Sequence, residues 1–103
     1  MIEFQYFEGC PNSAKSLANL KELIEDNIIA DKEIKITEVP DLEVSERVKF
    51  QGSPTILYNG MDIYTGMIPD ISSYTCRMYE INGERTGILT KVFIKEKISE
   101  LSH

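Results

Sequence analysis

Apolar and polar positions alternate at the start of the chain. Ile2, Phe4 and Tyr6 fall on one side and Glu3 and Gln5 on the other, a period of two that predicts a strand over residues 2–7. Phe7 breaks the alternation, as in a strand covered on both faces, and Gly9-Cys10-Pro11 ends it. From Ser13 the period lengthens: Ala14, Leu17, Leu20, Ile24 and Ile28 recur at helical spacing, with Lys15, Lys21, Glu22 and Glu25 facing away. Pro11 suits the first turn of such a helix, where a missing N–H costs nothing. Ile34, Ile36 and Val39, with Lys35 and Glu38 between them, predict a second strand stopped by Pro40. Residues 41–50 predict a short helix capped by Asp41, with Leu42, Val44, Val48 and Phe50 as its apolar contacts. Asn59-Gly60 separates two β-prone runs, 55–58 and 61–64, and both turn positions favour φ > 0, which marks a hairpin. Residues 65–89, with Pro69, a second Asn-Gly at 82–83 and Gly87, predict an irregular insertion. Thr90 caps a last helix through Leu101, with Phe93, Ile94, Ile98 and Leu101 on its apolar side.

The order is β-α-β-α-β-β, an irregular stretch, then α. A helix between the first two strands makes them parallel, and the hairpin makes the last two antiparallel. The expected fold is therefore an α/β domain spanning 1–103, with a four-stranded mixed sheet and the 65–89 insertion near the edge that holds Cys10.

Composition narrows the function. Hydrophobic residues make up 42% of the 103, charged ones 27%, the balance of a globular domain. The formal charge of −6 argues against nucleic acid, whose phosphates need clustered Lys and Arg. No apolar run approaches the roughly 20 residues of a membrane span. The segment Met1-Ile2-Glu3-Phe4 has no basic stretch of the kind that opens a secretory signal, so a cytoplasmic location is expected. Two cysteines, Cys10 and Cys76, are too few for a disulfide scaffold or a structural zinc site. The single histidine, His103, stands at the end of the sequence, where fraying is expected, so His-based triads and His-ligated metal sites lack their central residue. The acidic residues read as solvated faces, and Met61, Met67 and Met78 as scattered packing. No bound cofactor or metal is expected.

Cys10 is placed at the junction of a strand and a helix. A thiol at a helix N-terminus sits among unpaired N–H groups at the positive end of the dipole, which favours thiolate, although Glu8 opposes it. Cys10 is thus expected to be the more accessible and more acidic of the two thiols, and the nucleophile of a thiol–disulfide exchange.

Phe7-Glu8-Gly9-Cys10-Pro11-Asn12-Ser13 and Gly52-Ser53-Pro54-Thr55 together resemble the thioredoxin and glutaredoxin superfamily, in which a cysteine opening the first helix faces a cis-proline loop. Phe50-Gln51-Gly52-Ser53-Pro54-Thr55-Ile56 and Cys76-Arg77-Met78-Tyr79 resemble, more narrowly, small prokaryotic thioredoxin-like proteins sometimes labelled alkylmercury-lyase-like. The resemblance implies a thioredoxin-like fold, a cis Ser53–Pro54 bond within reach of Cys10, and a substrate-binding surface made by Pro11, Ser53, Pro54 and Thr55. There the Ser53–Pro54 loop would offer its backbone to an extended substrate. The motif departs from the dithiol members at Ser13, where they carry the resolving cysteine. Cys-x-x-Ser is the form of monothiol glutaredoxins. Their basic residue before the cysteine is replaced here by Glu8-Gly9, and their Gly-Gly-x-Asp segment is not intact, so glutathione loses two of its usual contacts.

Cys76 has two readings. Lying back over the site, it supplies the resolving or second metal-binding thiol that Ser13 cannot; alternatively it is a core cysteine in a strand with Met78 and Tyr79. Three functions follow: a thiol–disulfide oxidoreductase acting on a protein or small-molecule disulfide, a soft-metal thiolate protein of the mercury-binding type, or a catalytically silent binding module. Carbon–mercury cleavage itself would need more thiols and a positioned proton donor.

Overall fold

The computed structural model describes residues 1–30 and 32–102; His103 lies outside the described residues. The elements in chain order are β1 (Ile2–Tyr6), α1 (Ser13–Glu25), β2 (Ile34–Glu38), α2 (Leu42–Val48), β3 (Thr55–Tyr58), β4 (Met61–Asp62), β5 (Tyr79–Ile81), β6 (Glu84–Thr86) and α3 (Lys91–Leu101). Strands β2-β1-β3-β4 form one mixed sheet. β1 lies at its centre, parallel to β2 with Phe4 opposite Ile36, and antiparallel to β3 with Phe4 opposite Ile56. β4 pairs antiparallel with β3 across the Asn59-Gly60 turn, where both residues have positive φ. Among the described residues no helix is long and apolar enough to cross a membrane.

Ile2, Phe4 and Ile56 from the sheet pack with Leu20 and Leu23 of α1 and Phe93, Ile94 and Ile98 of α3 in one core cluster. Burying such side chains contributes about 1.5–3 kcal/mol each relative to exposure. The buried face of α1 also carries Ser16 and Asn19, which the apolar periodicity passed over. Their side chains serve the backbone entering α3: Asn19 Nδ2 donates to Leu89 O at 2.9 Å, and Leu89 N donates to Ser16 Oγ at 3.0 Å. Both expected caps are present, with Val44 N donating to Asp41 Oδ1 at 2.9 Å and Phe93 N to Thr90 Oγ1 at 3.2 Å.

Five expectations are corrected. α1 stops at Glu25, short of Ile28, because the chain turns through Asn27 at φ 58° and Ile28 N bonds back to Leu23 O. Leu42 of α2 is exposed, as is Ile36 on the edge strand β2. β4 is two residues long: Asp62 still pairs with Leu57, while its N–H bonds Met67 O as the chain turns back after it. The 65–89 insertion is not wholly irregular: Asn82 and Gly83, both with positive φ, close a second hairpin of β5 and β6.

Candidate functional site

β1 delivers the chain to Gly9, whose φ of +91° turns it into Cys10 ahead of α1. Cys10 is 6% exposed, and its Sγ donates to Ser53 O at 3.4 Å. Ser13 adds no chemistry to the sulfur: its Oγ donates to the Cys10 carbonyl at 3.0 Å. Pro11 is exposed beside it. A cleft of about 340 Å³ opens here between the end of β1 and α1, lined by Phe4, Phe7, Cys10, Ala14 and Leu17, with Glu8 as its charged member.

The Ser53–Pro54 peptide bond is cis, and Ser53 is within reach of Cys10 as expected. The loop does not, however, present a free backbone. Ser53, Pro54 and Thr55 are buried, and their polar groups are engaged within the chain. Ser53 Oγ accepts from Phe7 N at 3.2 Å, Ser53 N donates to Thr75 O at 2.8 Å, and Ser53 O also accepts from Arg77 N at 2.8 Å. Pro54 O accepts from the Tyr79 hydroxyl. Thr55 Oγ1 donates to Gly52 O at 2.6 Å and accepts from Arg77 Nη1 at 3.1 Å. The backbone that was to receive a substrate is occupied by residues 75–77 of the same chain.

That segment sets Cys76 next to Ser53 in a parallel β-bridge. With successive side chains pointing to opposite sides of extended backbone, Arg77 turns inward while Cys76 is left exposed beside Cys10. The Cys76 thiol is held above its ordinary pKa, first by its hydrogen bond with the Cys10 sulfur, then by burial, then by the charge of Cys10. Of the two readings of Cys76 the core cysteine is overturned, because its strand begins only at Tyr79 and the residue is exposed, and the expectation that Cys10 is the more accessible thiol fails, because Cys10 is the buried one.

Residues that the motif reading missed hold this segment down. Arg77 Nη2 pairs with Asp62 Oδ2 at 2.7 Å, both side chains nearly removed from solvent, and the guanidinium lies over the Tyr79 and Tyr64 rings at 4.7 and 5.4 Å. Gly52, at φ +107°, admits the strand closely: a Cβ there would sit 2.9 Å from Arg77 Cβ. Upstream, Tyr74 packs on Phe7 at 5.1 Å between ring centroids, and its hydroxyl donates to Val39 O at 3.1 Å. A lone arginine inside an aromatic run next to a cysteine was the one sequence signal for this anchor.

Among the described residues, no group of three or more His, Cys, Asp or Glu side chains is placed to hold a metal ion. Comparison with protein families, with curated proteins and with solved structures returns no match to this chain.

Proposed function

We propose that the protein is a thiol–disulfide redox protein of thioredoxin-like fold whose working pair is Cys10 and Cys76. The observation that carries this reading is that both cysteines meet at Ser53: the Cys10 sulfur donates to Ser53 O at 3.4 Å, and Cys76 forms a parallel β-bridge with Ser53. The order β2-β1-β3-β4 and the placement of Cys10 between β1 and α1 support it. Cys76, set beside Ser53 by the 75–77 segment, supplies the second sulfur that Ser13 lacks. The dithiol reduces an external disulfide and is left as a Cys10–Cys76 bond. An external thiol returns it to the reduced form.

Equilibration in dithiothreitol redox buffers, acid quenching and peptide mapping test this. One intramolecular Cys10–Cys76 bond following a two-electron titration is expected. Adducts confined to one cysteine, with no internal bond at any potential, would overturn it. Two adjacent thiolates also suit a two-coordinate soft cation. That reading predicts stoichiometric Hg(II) or Cu(I) binding that survives competing thiol and is lost in either cysteine variant.

A further inference from the structure

The two sulfurs are unequal in a way that fixes the order of the exchange. Cys10 is 6% exposed, whereas Cys76 is exposed. The Cys10 sulfur donates to the Ser53 carbonyl and lines the cleft beside α1 only from its buried side chain, while the 75–77 segment pairs along the same Ser53 backbone. The route by which an extended peptide would reach it, pairing with the Ser53 backbone, is closed: Ser53 N and O are already bonded to Thr75 and Arg77, and Pro54 has no N–H. Lifting the segment would mean parting the buried Arg77–Asp62 pair.

We propose that Cys76 attacks the external disulfide and Cys10 resolves it. This order rests on the paired-thiol function above. The Cys76 thiol gives its proton to solvent and its sulfur attacks one sulfur of R–S–S–R. A Cys76–S–S–R bond forms, and the first RS⁻ leaves and takes a proton. Cys10, held at the same Ser53 that Cys76 bridges, loses its proton and attacks the Cys76 sulfur. The Cys10–Cys76 bond forms, the second RS⁻ leaves and is protonated, and two electrons have passed from the dithiol to the substrate. Substrates are disulfides that approach through solvent, small aliphatic disulfides or ones at protruding loops, rather than disulfides within strands that must pair with the Ser53 backbone. The raised pKa of Cys76 lowers its thiolate fraction, and the greater nucleophilicity of a more basic sulfur offsets only part of that, so the order rests on access to the two thiols.

The test uses reduced wild-type protein and the Cys10→Ala and Cys76→Ala variants with excess 2-hydroxyethyl disulfide at pH 8.5, followed by intact mass. Cys10→Ala should form its mixed disulfide at least about tenfold faster than Cys76→Ala, the rate following access to the thiol. In wild type, a pulse of substoichiometric iodoacetamide should label Cys76 first, a readout that needs no variant to fold. Labelling of Cys10 first, equal or faster adduct formation on Cys76→Ala, or no adduct on Cys10→Ala would overturn the order. The paired-thiol function is judged separately, by whether wild type forms its internal bond in the redox titration.

Discussion

Arg77 and Asp62 meet at 2.7 Å with side chains 11% and 2% exposed, so the residue after Cys76 is fixed to β4 by an ion pair almost closed to water. Such a pair is costly to assemble, but once it is in place the loss of one partner strands a charge. Arg77→Ala should therefore lower the stability of the reduced protein by about 3–5 kcal/mol in urea unfolding. Replacing both partners, Arg77→Met with Asp62→Leu, should recover a large part of that loss. A single variant within 1 kcal/mol of wild type would show, on the same scale, that the pair is not closed to water.

Gly52→Ala should disturb the same segment from the other side. The backbone there is at φ +107°, and the added methyl would press on Arg77 Cβ and on Thr75 O at 3.1 Å. A loss above about 1 kcal/mol is expected, together with faster alkylation of Cys10 as the segment lifts. Unchanged stability and unchanged Cys10 labelling would show that the contact yields freely.

Tyr79 is pushed well above the ordinary tyrosine range, chiefly by burial, with Asp62 adding to the shift and Arg77 opposing it. In a spectrophotometric titration it should remain un-ionised through the step in which exposed tyrosines ionise, near pH 10. The sign follows from the raised folded pKa. Its contribution is fully present below the unfolded value of about 10 and is lost as pH rises from there toward the folded value. Tyr79→Phe should flatten that alkaline decline. Ionisation of all five tyrosines in a single step would contradict the buried setting.

Ser16→Ala should cost about 1–3 kcal/mol, because Leu89 N would be left buried without its acceptor. Amide exchange at Leu89 should accelerate with it. No change in either quantity would mean that Leu89 N finds another partner.

Most elements were legible because their signals are local. Asp41 and Thr90 cap their helices, the alternation of Ile2, Phe4 and Tyr6 marks β1, and Asn59-Gly60 turns the hairpin. The second hairpin carried the same Asn-Gly signal at 82–83, but its strands are three residues each, too short for alternation to speak. Ser16 and Asn19 read as polar face because what buries them is the backbone of Leu89, some 70 residues away. At the site, the motif located Cys10 and the loop beside it. It could not show that residues 75–77 occupy the Ser53 backbone, since that depends on Gly52 admitting Arg77 and on Asp62 receiving it, a long-range fit with no periodicity. Helix-end reasoning therefore misjudged which thiol is open to solvent.

Cys10 and Cys76 come from segments about 65 residues apart, and a bond between them would enclose most of the sheet. In the chain-entropy account, closing a loop of that size stabilises the folded state by about 4 kcal/mol. By linkage, the folded chain would favour the bond over the unfolded one by the same amount, on the order of 90 mV for two electrons. A dithiol within a single helical turn has no such leverage over its domain. With such a bond the surrounding thiol poise would act as a denaturant in reverse: oxidising conditions would tighten the whole domain, reducing ones would loosen it, and whatever loosened it would make its disulfide easier to reduce.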